Sequence, residues 1–348
     1  MNLIIGQGLA GTLLALELRS AGVPYLVAEG NLRNSGSAVA AGIINPVTGK
    51  RLAKTWRWER FKQSALDTYR SWEKLLGVEL FRETRLLRLF RDEEEKTLWR
   101  RKKGMLEYSG LLGPSYSSEE LGPGLKDDFG SFEIMQAGVL EVQTLIKTAR
   151  FLLQKEGSLA QRKFIHEDLV IKDNDFSWQG QRFQNVIFCE GFRLNENPWF
   201  RNIPMEPSRG EIQKICVSKN LPEGIINRGK WMRPTSEGVY YAGSTHRWDQ
   251  LEMKSDEGDK KEISRELGSI IKRSFEIIDR KTGVRPATKD RRPVVGFHPN
   301  HSQLGIINGL GAKGSLMGPW LAKHFTSALL KGTPIEPEVN VQRYFNKP

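Results

Sequence analysis

Asn2-Leu3-Ile4-Ile5-Gly6-Gln7-Gly8-Leu9-Ala10-Gly11 carries the reading on which the fold depends. Asn2 to Ile5 has the pattern of a short apolar strand, and Gly6 to Gly11 is G-x-G-x-x-G. Leu13, Leu14, Ala15, Leu16 and Leu18 then read as a buried helix, Gly22-Val23-Pro24 as a turn, and Tyr25 to Ala28 as a second apolar strand ending at Glu29. A glycine hexapeptide alone is a common turn. Strand, glycine turn, helix, strand and terminal acid in that order make the full dinucleotide-binding fingerprint. Gly6 permits the tight turn, Gly8 lets the backbone approach a pyrophosphate, and Gly11 lets helix and strand pack closely. Leu9 and Ala10 begin the helix, whose amide N–H groups and positive dipole end face the phosphates. Glu29, with Gly30 beside it, is placed to accept hydrogen bonds from a ribose diol. An acid there disfavours a 2′-phosphate, which leaves FAD or NAD.

The chain around this motif has 348 residues, more than one simple core and suited to two interlocked domains. Hydrophobic residues at 39% and 34 glycines exclude wholly disordered or fibrous classes. No stretch approaches the ~20 consecutive apolar residues of a membrane helix. The apolar run from Leu3 to Leu18 is no signal core, since no Lys or Arg precedes it and three glycines interrupt it. Cys189 and Cys216 are too few for a disulfide framework or a four-thiolate metal site, which points to a reducing, cytoplasmic setting and to no metal. Lys plus Arg is 53 against 41 for Asp plus Glu, a formal charge of +12 that favours acidic partners: nucleic acid, an anionic membrane surface or acidic substrates.

Ser35-Gly36-Ser37-Ala38-Val39-Ala40-Ala41-Gly42-Ile43-Ile44-Asn45-Pro46 follows the acid. A surface linker would not end in the apolar Gly42-Ile43-Ile44; small side chains suit backbone running against a large flat ligand. Here the sequence resembles the D-amino acid oxidase (DAO) family of FAD-dependent oxidoreductases. Four further stretches carry the likeness, in the family's order: the loop Ser118 to Leu125, the strand Asn185 to Cys189 ending at Glu190-Gly191, the Gly283-Val284-Arg285-Pro286-Ala287-Thr288-Lys289-Asp290 stretch with Pro293 and Gly296, and the glycine-rich loop Gly309-Leu310-Gly311-Ala312-Lys313-Gly314. Within the family, glycine oxidase shares the third stretch. The oxidase half of the bifunctional enzyme that matures the tRNA wobble uridine shares the fourth.

The resemblance implies an α/β fold: a Rossmann-like FAD-binding domain with an inserted α+β substrate domain on a mainly antiparallel sheet. The FAD domain would use residues 1–75, 140–205 and 283–340, the substrate domain 76–139 and 206–282, with a tail at 341–348. It implies FAD held by the fingerprint residues and by Ser37, Ala41, Gly42, Ile43, Ile44, Leu169, Glu190, Gly191, Gly309, Gly311, Ala312, Lys313, Gly314, Ser315 and Leu316; with neither Cys nor His in 35–45 or 309–314, the FAD is expected to be noncovalent. Apolar spacing predicts helices over 69–80, 142–154 and 263–278, a charged helix over 92–103, a basic strand over 85–91 and a strand over 239–244. Residues 252–261 read as a solvated loop or helix start, His298 and His301 as lying in a surface loop, and the chain after Gly332 as extended.

Flavin chemistry needs a substrate anchor and a positive charge near the ring rather than a metal or a protein nucleophile. By resemblance Arg285 matches the arginine that grips the substrate carboxylate in glycine oxidase, a role that guanidinium geometry suits; the alternative is an arginine bracing the loop before Pro286. Lys313 is either a cation near the ring or a solvent-facing lysine whose backbone alone touches FAD. Trp231 stands where glycine oxidase has a carboxylate-holding tyrosine, and indole can only donate. Ala312 stands where that enzyme has a second arginine, so its mode of substrate recognition is not expected here. His246, at a strand end, is a candidate base.

Basic residues crowd 82–103 and 280–292, with Trp56, Trp58 and Trp99 near them. They read as solvated faces, or as a surface tracking the phosphates of tRNA. The expected activity is oxidation of the C–N bond of an amino acid or secondary amine by hydride transfer to flavin N5, with oxygen or an electron carrier reoxidising the flavin. The alternatives are the same chemistry on a carboxymethylaminomethyl group of tRNA, and a flavin-binding protein without amine turnover.

Overall fold

Asn2–Ile5 and Tyr25–Ala28 lie side by side as parallel strands in the computed structural model, joined by the helix α1 (Leu9–Ser20). The structure describes residues 1–30, 35–172, 175–218 and 221–345. Of the expected tail, 346–348 lie outside the described residues.

Those two strands sit in a six-stranded sheet in the order Leu159–Ala160, Tyr25–Ala28, Asn2–Ile5, Asn185–Phe188, His301–Asn308, Val294–His298. The first five run parallel, and the last is antiparallel to its neighbour. Both faces are covered, which is why these strands read as unbroken apolar runs. Ile4, Val27, Ile187 and Ile307 pack into the core shared with α1 and with α6 (Gly314–Lys331). Leu3, Ile5, Val186, Phe188, Leu304 and Ile306 face Phe176, Trp178 and Phe183 of a small antiparallel meander.

A second sheet has eight strands, in the order Phe275–Arg285, Ser208–Val217, Val239–Gly243, Lys230–Ser236, Ile225–Arg228, Leu86–Leu89, Ser131–Ile134, Leu112–Tyr116. Every pairing is antiparallel except Ile225–Arg228 with Leu86–Leu89. Its two faces are sorted by strand alternation. Leu87, Ile226, Met232, Tyr240, Ala242 and Ile215 pack on Ile263, Leu267 and Ile270 of α5 (Glu257–Ile270). Leu86, Arg88, Ile225, Asn227, Trp231, Gly210 and Ile212 face the other way, into a cavity. Strands of the first sheet fall within 1–75, 140–205 and 283–340. Those of the second begin within 76–139 and 206–282, the last running on to Arg285. Ile43–Ile44, Gly138–Leu140 and Phe81–Glu83 pair as a small sheet between the two.

Several local expectations need correction. Helix α2 spans Trp58–Leu76, not 69–80: its apolar face begins at Trp58, and Gly77 ends it in the left-handed conformation, its N–H donating to Glu73 O. The helix expected over 263–278 stops at Ile270. From Phe275 the chain is a strand whose Phe275 and Ile277 pack on the α5 side while Glu276 and Ile278 face out; Ile277 and Ile278 had mimicked helical spacing. His298 and His301 lie at the facing ends of paired strands, and His298 is buried against Phe200 and Phe345. The chain after Gly332 is not wholly extended, since Val341–Tyr344 makes a 3-10 turn. The remaining helices, α3 (Glu93–Lys103) and α4 (Val142–Lys155), fall where spacing put them, α3 capped by Asp92 accepting from Glu95 N.

Candidate active site

One cavity of about 1120 Å³ is lined from both sheets. At one end it meets the N-termini of α1 and α6. Neither helix has a side-chain cap or an acid in its first turn, so both positive ends are left for a ligand's negative or polar atoms. The glycine turn beneath them is compact. A Cβ on Gly11 would sit 1.8 Å from Gly6 O, so Gly11 serves the helix–strand contact and does not itself line the cavity. Glu29 Oε2 accepts from Gln7 N (2.7 Å) and Ser37 Oγ from Leu9 N (2.9 Å), which ties the acid and the small-residue stretch to the turn.

Gly6, Gly8, Leu9, Ala10, Glu29, Gly30, Ser37, Ala41, Gly42, Ile43, Ile44, Glu190 and Gly191 all line this cavity, as do Gly311 through Leu316. Leu169 and Gly309 do not. Leu169 is buried in the apolar cluster on the meander side, and Gly309 turns against Thr288 and Pro293. The small-residue stretch has a reason the sequence hid. A Cβ on Gly42 would strike Leu140 O at 1.9 Å and one on Gly36 would strike Val284 O at 2.4 Å, so protein backbone presses on it as well. Glu190 is held by two neighbours, His166 Nε2 and Asn197 Nδ2, each at 2.8 Å. That hydrogen bond raises the His166 pKa, although burial opposes it. Two uncapped helix ends, an acid at a strand terminus and a long cavity fit an extended dinucleotide such as FAD.

Toward the antiparallel sheet the cavity is marked by cations. Arg285 ends the Phe275–Arg285 strand with its head directly over Gly210, where a Cβ would lie within 2.4 Å of both terminal nitrogens. A side chain at 210 would displace the guanidinium and press on Thr245 O at 2.6 Å, so this close approach uses Gly210, a dependence that no local pattern announces. Arg285 Nη2 donates to Ser244 Oγ (2.6 Å), and Nη1 to Thr245 O (3.3 Å) and Ser208 O (3.5 Å). All three are neutral acceptors, and burial lowers its pKa to about 10, leaving it charged at neutral pH. Lys313 Nζ donates to Thr55 Oγ1 (2.9 Å); burial, then Arg292, lowers its pKa to about 8.

Trp231 is half-buried in the cavity wall. His246 lines the same region, its Nδ1 3.4 Å from Ser208 Oγ and its ring stacked on Trp248. The ring reaches solvent, yet desolvation by the protein around it, then Arg285 and Lys230, push its pKa down to about 4. It is a neutral imidazole at physiological pH. Ser244 and Asn227 also line the cavity and were not singled out from sequence; Arg88, read there only as one of the basic residues of 82–103, lines it too.

Several residues of the basic runs have internal carboxylate partners. Arg85 pairs with Glu133, Arg88 and Arg91 with Glu95, Arg280 with Glu211 and Glu257, and Arg291 with Glu206. Trp58 and Trp99 are core residues, and Trp56 lies under the Arg292 guanidinium, 4.0 Å from its ring centre. No described helix is long and apolar enough to cross a membrane.

Comparison with known proteins agrees with this geometry. Residues 2–328 match the family DAO, described as FAD dependent oxidoreductase. Glycine oxidase of Pseudomonas putida is 21% identical, over 95% of both chains. The tRNA 5-methylaminomethyl-2-thiouridine biosynthesis bifunctional protein MnmC of Marinobacter nauticus is 23% identical over 94% of this chain but only 55% of its own. Among solved structures, iminodiacetate oxidase of a Chelativorans species superposes with a TM-score of 0.79 at 19% identity, covering 99% of this chain and 98% of that one.

Proposed function

The chain belongs to the DAO family of FAD-dependent oxidoreductases, and from that premise we propose that it oxidises the C–N bond of an amino acid or secondary amine held through its carboxylate at Arg285. The observation that carries the reading is a partly buried guanidinium bonded, among the described residues, only to neutral acceptors, in the cavity that also holds the dinucleotide turn. A cation taken from water without a counter-charge is costly, and a substrate carboxylate offsets that cost with two charge-assisted hydrogen bonds. FAD, when bound, supplies the hydride acceptor. Arg285 fixes the carboxylate, and with it the neighbouring C–H, against the cofactor. The neutral His246 stands by as a hydrogen-bond partner that adds no second positive charge. Lys313 supplies a cation beside the loop that bounds the ring. Loss of hydride from carbon and a proton from nitrogen leaves an imine, which water hydrolyses to carbonyl and amine. The electrons leave to oxygen or a carrier. The two free thiols, Cys189 and Cys216, agree with a reducing, cytoplasmic location.

The likeness to MnmC supports a second reading, the same oxidation on a carboxymethylaminomethyl group of tRNA. The internal pairing of the basic runs weakens it. Anaerobic bleaching of the flavin near 450 nm (a general flavin property) tests both. The panel holds glycine, sarcosine, proline, other amino acids and wobble-modified tRNA. Bleaching by a small amine, lost in Arg285→Ala, is the expected result. Bleaching by tRNA alone selects the second reading, and a bound flavin that nothing reduces removes both.

A further inference from the structure

Across the antiparallel sheet from Arg285, the cavity ends in a second group of cations. Arg88 stands opposite Asn227 in the strand register, and Asn227 opposite Trp231, so the three side chains form one row on the cavity face. Arg88 is 5% exposed. Its Nε and Nη2 donate to Glu95 Oε1 and its Nη2 also to Gly49 O, but among the described residues its Nη1 meets no acceptor. A nearly buried arginine thus keeps one donor edge open in a wall of the cavity. Arg91, also on Glu95, and the exposed Lys50 line the same end. Arg88 and Arg91 share the fully buried carboxylate of Glu95, and Lys50 adds a third cation with no carboxylate partner among the described residues, so the three cations exceed that carboxylate by two.

We propose that this end is a second anion-binding subsite, and that the substrate is an amine whose far end carries a carboxylate or phosphate. The inference rests on the reading of Arg285 as the anchor for the carboxylate next to the reacting carbon. The Ser208–Val217 strand, over which the Arg285 head lies, and the Leu86–Leu89 strand are four steps apart in the sheet. At about 4.8 Å per step that is roughly 20 Å. A short amino acid cannot reach both ends. A substrate with an extended tail can, with Trp231 and Asn227 as the floor between. The excess charge also draws such a tail in from solution, an effect that salt weakens.

Two matched series test this on the FAD-loaded enzyme: N-substituted glycines bearing an ω-carboxylate, and the same lengths ending in methyl, running from shorter to longer than that span. The readout is the ratio of flavin-reduction KM values between the series at low and high salt. The proposal expects the charged series to be favoured about tenfold or more, beginning only at lengths that reach Arg88 and shrinking with salt. Arg88→Met leaves buried Glu95 with Arg91 alone, so it is made together with Glu95→Gln; the pair of changes keeps the charge excess but removes the open donor edge, and erases the length-dependent preference. Lys50→Ala, at an exposed position, reduces it. Equal KM values at every length, or a preference that survives Arg88→Met/Glu95→Gln, overturn the subsite while leaving the Arg285 reading intact. Reduction by tRNA alone, with neither series active, overturns the small-molecule proposal. If neither series nor any other amine reduces the flavin, the reading beneath it has failed.

Discussion

Two arginines, Arg209 buried and Arg285 partly buried, lie on neighbouring strands of the antiparallel sheet and face opposite ways. Arg209 points toward α5, where it meets Asp256 and Asp259; Arg247 and Glu262 extend the network. Arg285 points into the cavity and meets, among the described residues, only a hydroxyl and two carbonyls. The first is a cation whose counter-charge comes from the fold. The second is a cation left uncompensated, and such a group persists where something outside the chain supplies the charge. On the proposed reading, the same sheet carries a structural arginine on one face and the substrate anchor on the other.

The comparison can be broken by exchanging the two for an apolar chain of similar length. Arg209→Met leaves Asp256 without its cation and the fully buried Asp259 with Arg247 alone, and unfolding in urea is expected to show a loss of about 3 kcal/mol. Arg285→Met strands no charge. Its Tm should hold or rise, while kcat/KM for a carboxylate-bearing amine falls about 10²- to 10³-fold, in keeping with the loss of a buried charge partner. A drop in stability at Arg285 like that at Arg209 would return Arg285 to the role of a brace before Pro286.

These two faces also mark where sequence reasoning stops. The fingerprint half is legible because its recognition is made by backbone at fixed local spacing: Gly6, Gly8, Gly11 and Glu29 meet within one strand–helix–strand unit. The cavity face of the second sheet is written across distant segments. Arg285 could be named by resemblance, but its partners Ser208, Ser244 and Thr245 and the cleared space at Gly210 come from other strands. Arg88 meets Asn227 only because two strands far apart in sequence pair in parallel. Its helix-side neighbour Glu95 looked like one more charge in an acidic run.

Lys313 sharpens the contrast through pH. It is another cavity cation bonded to a hydroxyl, with a folded pKa of about 8 against an ordinary 10.5. Between those values the unfolded chain holds more protons than the folded one, so stability rises with pH across that window. Wild type should gain about 1–2 kcal/mol between pH 8 and 10 relative to Lys313→Met, a magnitude reduced for partial exposure. No difference in slope between the two would place the amine in solvent rather than at the cavity.

The smallest expected effect links the two groups at the substrate end. The folded pKa of His246 is about 4, with desolvation the first cause and Arg285 the second. Since the folded imidazole resists its proton, its contribution to stability is present above pH 6.5 and fades as pH falls toward 4. In a pH titration followed by NMR, the His246 ring should stay neutral down to about pH 5. Arg285→Met removes the cation that lowers it most and should raise its pKa without restoring the ordinary value, because the surrounding protein still desolvates it. A carboxylate ligand bound to wild type should push in the same direction by neutralising Arg285 instead of deleting it. A His246 titration indifferent to both changes would mean that the guanidinium's charge does not reach the imidazole, and that Arg285 and His246 act on separate parts of the cavity.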